Sequence, residues 1–406
     1  MKEILKKARS RFHNDILENM EANKREIVKA VYDIKQETNS IYNQSKASVS
    51  IAEQNYFQNF KKIYSSLNDQ MSKDIFWAVL QYRVDNDASK LLSLILSWDC
   101  QGNPNDFITI LKRNKEHQTD MFVLYGTDDV SYQYYKNIVD LGYKFSYIVN
   151  DSSSLSPPLQ NASRFGVEQI SLESLVEDFP DSIILIGSWG GWEKKAYIVS
   201  KGFGAEHVFL NATLLKTEYF EDDILKPEEY EVFIDGGCYS LQTAIDFIDW
   251  YKRDSFKIIA FEPDKKNYQR CMERFSKEPR LNESNCIIYE AGLWDSKTKL
   301  SFTESGGGSY IADAGTTTIS TETIDSVLSD GKVTFIKLDV EGAEMKALIG
   351  ARKTICKYRP KMAICLYHRP EDIIDIPSYV LSLVPDYRLY IRHYSTNVTE
   401  TVLLCV

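Results

Sequence analysis

The 406-residue chain has no apolar run approaching the roughly 20 residues needed to cross a bilayer, so no membrane span is expected. Its first segment, MKEILKKARSRFHNDILENM, is charged throughout and lacks the apolar core of a signal peptide. There is no C-x-x-C pair. Seven cysteines (Cys100, Cys238, Cys271, Cys286, Cys356, Cys365, Cys405) are odd in number and scattered. That pattern argues against a zinc knuckle or redox pair and for reduced thiols in a cytoplasmic protein. Positive charge is in deficit, 48 basic against 58 acidic side chains. A dedicated nucleic-acid binder, which needs a broad positive face, is therefore not expected.

What is present is the composition of a globular protein, 43% apolar and 26% charged. The length implies two or three domains, and the pattern changes along the chain suggest three regions. Residues 1–117 read as helical. Ile4, Ala8, Phe12, Ile16 and Met20 recur every four residues, which fits an amphipathic helix better than a heptad seam. A helix packed on its own domain and an arm joining a homo-oligomer both stay open. A second helix, SLNDQMSKDIFWAVLQYRV, presents Ile75, Phe76, Val79, Leu80 and Tyr82.

Residues 118–214 alternate short strands (MFVLYG, KFSYIVND, SIILIG) with helices, the pattern of a small Rossmann-like α/β unit. Only Gly126 of a G-x-G-x-x-G turn is present. Asp128 would set a carboxylate where a pyrophosphate approaches the backbone. Asp151 suits either a ribose or an ordinary turn. A structural or partner-docking role is preferred to dinucleotide binding, and a dehydrogenase is disfavoured.

Residues 215–406 carry seven strand candidates: EVFIDGG, KIIAFEP, CIIYEAGLWD, VTFIKLD, KMAICLYH, YRLYIRHYS and TVLLCV. Helices follow the first two, with Ala244, Ile245, Ile248 and Tyr251 on one face and Tyr268, Cys271, Met272 and Phe275 on the other helix's face. The last two strands, with no helix between them, suit an antiparallel hairpin. Chemistry gathers at the strand ends. Asp235-Gly236-Gly237, followed by Tyr239 and Ser240, lets a ligand approach main chain at a helix start. Glu262-Pro263-Asp264 offers a carboxylate to ribose hydroxyls, and Ala291-Gly292-Leu293 leaves room for an adenine edge. These features indicate an adenosine-containing cofactor. Asp235 would repel a pyrophosphate but suits the cationic, phosphate-free S-adenosylmethionine.

IDGGCYSLQTA, FEPDKKNY and above all FIKLDVEGAEMKALIGA resemble the motifs of the FkbM-type methyltransferases, a branch of the class I S-adenosylmethionine-dependent enzymes. LYHRPEDIIDIP and DYRLYIRHYS are similar to the end of members with an extra N-terminal domain, so the resemblance runs from about residue 63 to 406. It implies a seven-stranded Rossmann-like methyltransferase sheet, preceded by a smaller α/β domain and a helical region. It also implies O-methylation of a saccharide or related hydroxylated small molecule or glycan. Where the family has a further glycine in the first turn, this chain has Leu241. A fold retained as a non-catalytic sugar- or nucleotide-binding scaffold is the alternative that this departure favours.

A hydroxyl acceptor must lose its proton, so Asp339 and His368 are the candidate bases, with Glu341 facing the same space. Lys337, two residues before Asp339, is a catalytic candidate but reads better as a buried ion-pair partner of Asp235 or Asp339. Glu344 reads as a first-turn helix carboxylate. Arg392, His393, Ser309 and Tyr310 are the candidate substrate contacts, the last two within a glycine-rich lid. No compact metal-ligand motif is present, so transfer is expected to be metal-independent.

Overall fold

The structure, a computed structural model, describes residues 58–97, 110–112, 114, 120–149, 162–188, 191–210, 218–303, 310–311, 315, 317–327, 331–395 and 398–406. The helix expected over the first forty residues, Asp151, Ser309 and the Tyr310 side chain lie outside the described residues. The chain divides into two compact units, Met1–Lys61 and Lys62–Val406, and every element labelled below belongs to the second. No helix among the described residues is long and apolar enough to cross a membrane.

The second unit opens with two helices, α1 (Gln70–Asp85) and α2 (Ser89–Ser97). An α/β segment follows: β1 (Phe122–Tyr125), α3 (Asp129–Asp140), β2 (Phe145–Val149), β3 (Glu168–Ile170), α4 (Leu172–Asp178), β4 (Ile183–Ile186), α5 (Gly191–Ser200) and β5 (Val208–Leu210). Its strands form a parallel sheet in the order β3-β2-β1-β4-β5. β1 and β4 are buried throughout, as short all-apolar strands covered on both faces must be. Asp128 caps α3 by accepting from Ser131 N. A carboxylate already holds the helix N-terminus where a dinucleotide's phosphates would bind.

The larger sheet begins with β6 (Glu231–Gly236), α6 (Gln242–Tyr251), β7 (Phe256–Phe261), α7 (Lys265–Lys277) and β8 (Cys286–Tyr289). The chain then leaves it for β9 (Gly292–Leu293), β10 (Lys299–Thr303), β11 (Tyr310–Ile311) and β12 (Thr317–Glu322). It returns through α8 (Ile324–Val327), β13 (Phe335–Leu338), α9 (Glu344–Ile349), α10 (Arg352–Tyr358), β14 (Lys361–Cys365), α11 (Asp372–Leu383), β15 (Leu389–His393) and β16 (Thr401–Cys405). The sheet order is β15-β16-β14-β13-β6-β7-β8, parallel except for β16, which pairs antiparallel with both β14 and β15. This is the seven-stranded sheet expected, with its closing hairpin.

Three details differ from the sequence reading. CIIYEAGLWD is not one strand: β8 stops at Tyr289, and Gly292–Leu293 pairs with β12 in a separate four-stranded sheet, β11-β10-β12-β9. On α6, Phe247 and Trp250 are buried while Ile245 is only partly so, and on α7 Met272 is exposed. The third concerns Arg392 and His393. Arg392 is spent on the N-terminal helices: its guanidinium donates to Asp69 Oδ2 at 2.6 Å and to Ser72 Oγ at 3.0 Å. Asp69 in turn caps α1. His393 is buried, its Nδ1 2.8 Å from Thr401 Oγ1. An edge strand needs cover. α1 supplies it for β15, so these two side chains are not open to a substrate.

Leu241, which precedes α6, has φ 62°, the left-handed region, and is fully buried in the core of the large sheet. A glycine would adopt this backbone freely; leucine stays because its side chain packs with Phe247, Phe233 and their neighbours. The Ala and Gly variants separate the two effects. Both lose the packing, about 2–5 kcal/mol for a buried leucine truncation, but only glycine also relieves the left-handed strain of about 1–2 kcal/mol. Urea unfolding should therefore find Leu241→Gly more stable than Leu241→Ala, the reverse of the usual order. The usual order would mean that residue 241 is unstrained.

Candidate active site

β6 and β13 lie side by side, and the chain leaves them toward opposite edges of the sheet. The crevice beyond their carboxyl ends is the switch point at which such sheets bind ligands. Its floor is an ion pair. Asp235 and Lys337 are register partners on β6 and β13, both buried, with Nζ 3.1 Å from Asp235 Oδ1 and 3.9 Å from Asp339 Oδ2. The ammonium donates instead to the carbonyls of Gly236 at 3.1 Å and Gly237 at 2.7 Å. Burial alone would lower the Lys337 pKa, but Asp235 and Asp339 raise it above the ordinary lysine value. Burial also pushes Asp235 upward against the pull of Lys337. Lys337 is thus a structural cation, and no reacting atom needs to meet it.

The first turn is pressed against the β13 end. A Cβ on Gly237, at φ +73°, would fall 1.8 Å from the Asp339 carbonyl oxygen, so only glycine fits. Tyr239 follows, exposed, with Ser240 partly so. The Tyr239 N–H donates to Glu262 Oε2 and the Asp264 N–H to Glu262 Oε1, each at 2.9 Å. Glu262, at the end of β7, is buried, and burial pushes its carboxyl up to about 7 against those two bonds. The third turn closes the same space: Leu293 lies 2.8 Å from where a Gly236 Cβ would be, and Pro263 3.8 Å from that of Gly292, with Ala291 buried beside them. Asp264 does not join this set. It caps α7, accepting from the N–H groups of Lys266 and Asn267, and is buried.

Beyond β13 stands a second cluster. Asp339 accepts from the hydroxyls of Tyr219 and Tyr367, each at 3.1 Å. Burial would raise Asp339, yet Lys337 and His368 hold it below the usual carboxylate value. His368 follows β14. Its Nδ1 lies 2.8 Å from Glu344 Oε1, an oxygen that also accepts from Val340 N at 2.8 Å, and Glu344 is fully buried. Its Nε2 faces Asp339 Oδ1 at 3.6 Å and Glu341 Oε2 at 3.4 Å. Burial would lower the imidazole, but the bond to Glu344 and the charges of Glu344, Asp339 and Glu341 raise it to about 9. In this state the imidazole favours its protonated form. Burial raises Glu341 to about 7.

Sequence reasoning missed Tyr219, Glu218 and Glu400, which reach the crevice from before β6 and from the β15–β16 loop. Burial and the charge of Glu400 raise Glu218 to about 9, and burial and Asp339 raise Glu400 in turn. One signal was backbone strain. Of the non-glycine residues at positive φ, Tyr219, Tyr239, Leu241, Glu341 and Glu400 all belong to loops around this crevice, and strain of this kind gathers at functional sites.

A family model for the methyltransferase FkbM domain matches residues 236–395. No curated protein matches the chain. Among solved structures it is similar to methyltransferase FkbM from Methylobacillus flagellatus KT, 18% identical over 80% of this chain and 100% of that one, TM-score 0.45. It is also similar to precorrin-6y C5,15-methyltransferase from Geobacter metallireducens GS-15 (11%, 45% and 81%, TM-score 0.28). A third is the fibrillarin/Nop5p complex (15%, 54% and 83%, TM-score 0.29). The family match starts at the glycine turn of β6 and takes in Glu262, Lys337, Asp339, Glu344 and His368, while Glu218, Tyr219, Asp235 and Glu400 lie outside it. Residues 236–395 match the family model of the methyltransferase FkbM domain and make up most of a Rossmann-like seven-stranded sheet.

Proposed function

We propose that the chain is an S-adenosylmethionine-dependent O-methyltransferase acting on a hydroxyl of a saccharide or related hydroxylated metabolite. The observation that carries the cofactor is the crevice's charge: Asp235, Glu262 and Asp339 end three strands, and Lys337 is already committed to Asp235 and two carbonyls. A pyrophosphate would meet carboxylates there, whereas a sulfonium and an ammonium would meet opposite charge. Glu262, with both oxygens held by backbone N–H groups, is oriented to accept from ribose hydroxyls. Leu241, which favoured a non-catalytic scaffold, packs into the core instead of the crevice.

Bound S-adenosylmethionine supplies the electrophilic methyl group. An acceptor hydroxyl that took this methyl group would give up its proton, and a carboxylate beside it would receive that proton. Asp339, held by two tyrosine hydroxyls at the end of β13, is that carboxylate in this reading. Holding the reactants in line contributes much of the rate.

S-adenosylhomocysteine should raise the melting temperature, as a ligand selective for the native state must. Glu262→Ala should weaken its binding by about 1.5–3 kcal/mol, the range for hydrogen bonds to a charged group. Because the carboxylate is the bonding form and its pKa is raised to about 7, wild-type affinity should fall as pH drops through 7. Glu262→Gln should flatten that profile. Unchanged affinity in the Ala variant would remove Glu262 from the site.

Methyl transfer from labelled S-adenosylmethionine, screened against glycans and nucleotide sugars, tests the acceptor class. With an acceptor in hand, Asp339→Asn and His368→Ala should each lower turnover by about 10²-fold or more with a smaller change in cofactor affinity. Equal losses in affinity and turnover would place these residues in cofactor binding alone.

A further inference from the structure

One ligand atom from each of Asp339, Glu344 and His368 lies within 4.8 Å of the other two, and among the described residues no other set of three or more such side chains does so. A histidine between carboxylates is most often an ion pair, and His368 makes three such contacts, of which only that from Nδ1 to Glu344 is a hydrogen bond. The other polar atoms of the cluster are left without one. His368 Nε2, on a side chain only 9% exposed, faces Asp339 Oδ1 and Glu341 Oε2 at ion-pair distance yet makes no hydrogen bond. Glu344 Oε2, on a fully buried side chain, has no hydrogen-bond partner either. Buried polar atoms without partners are costly and call for an occupant.

The support around the imidazole is that of a metal ligand. Glu344 Oε1 grips Nδ1 and is itself fixed by Val340 N, an arrangement that orients the second nitrogen and raises its basicity. Asp339 is fixed in turn by two tyrosines. Charge agrees: Asp339, Glu341 and Glu344 surround a single imidazole.

We infer that Asp339, Glu341 and His368 bind a divalent transition cation, of the class of Mn2+ or Zn2+, with His368 Nε2 as its nitrogen ligand and Glu344 holding Nδ1 from behind. One imidazole with carboxylates suits these ions better than Ca2+, which takes oxygen ligands only. This departs from the metal-free expectation because the nitrogen ligand comes from the segment after β14, far in sequence from the two carboxylates that follow β13, so no compact sequence motif forms. The cation's role beside the acceptor rests on the methyltransferase reading; its binding does not.

The test uses the full chain after chelation and dialysis, titrated with Mn2+ by electron paramagnetic resonance and with Zn2+ by calorimetry. Saturable binding is expected, with nitrogen coupling to Mn2+ in spin-echo spectra. His368→Ala and Asp339→Asn should each weaken binding by at least about tenfold, while the exposed Asp386→Asn should not. Variants that still show an S-adenosylhomocysteine-induced melting shift are folded; should one not fold, the nitrogen coupling in the wild type decides. No saturable binding, no nitrogen coupling, or undiminished binding in both folded variants would overturn the site. S-adenosylhomocysteine binding without metal binding would sink this inference and leave the methyltransferase reading standing, and metal binding without S-adenosylhomocysteine binding would do the reverse.

Discussion

The buried pair of Lys337 and Asp235 is the constraint on which the crevice depends. Two charges taken out of water at 3.1 Å gain little net stability, because desolvation offsets most of their attraction. What the pair contributes is shape. Lys337 draws in the carbonyls of Gly236 and Gly237, while the N–H groups of Gly237 and Cys238 donate to the Phe261 carbonyl and that of Tyr239 to Glu262. It also fixes the spacing between β6 and β13, and Gly237 then passes so close to the Asp339 carbonyl that no side chain fits. Removing either partner would strand a buried charge beneath the cofactor turn.

Around that floor the loops divide the work. The turns after β6, β7 and β8 converge on one space through Tyr239, Glu262 and Leu293, the side suited to a nucleoside. The β13 end, the segment after β14, the segment before β6 and the β15–β16 loop bring Asp339, Tyr367 with His368, Tyr219 and Glu400 to the other side. The hairpin β15–β16 reaches the site only through its loop, since the strand itself is fastened by Arg392 to Asp69 and Ser72. The N-terminal helices thereby support the catalytic sheet from its far edge.

Much of this was legible in the sequence where strand and turn chemistry is local. Asp235, Glu262 and Asp339 could be placed because each ends an apolar run and precedes a glycine or proline turn. Asp264 was misread: a carboxylate at the start of a helix caps it, and Glu262 alone serves the crevice. Arg392 and His393 failed for a different reason. Their partner, the Asp69–Ser72 turn, lies more than three hundred residues earlier in the chain, and no local pattern announces such a contact. Glu218, Tyr219 and Glu400 stand in irregular segments without periodicity, so only the folded chain shows them beside Asp339. The four-stranded sheet from β9 to β12 was hidden by its two-residue strands.

The central claim is that a carboxylate-lined switch point selects a phosphate-free cationic cofactor. Calorimetric titration of the chain with S-adenosylmethionine and, separately, with NAD measures that selection directly. The account predicts saturable binding of S-adenosylmethionine and none of NAD; binding of NAD, or no binding of S-adenosylmethionine, would contradict it.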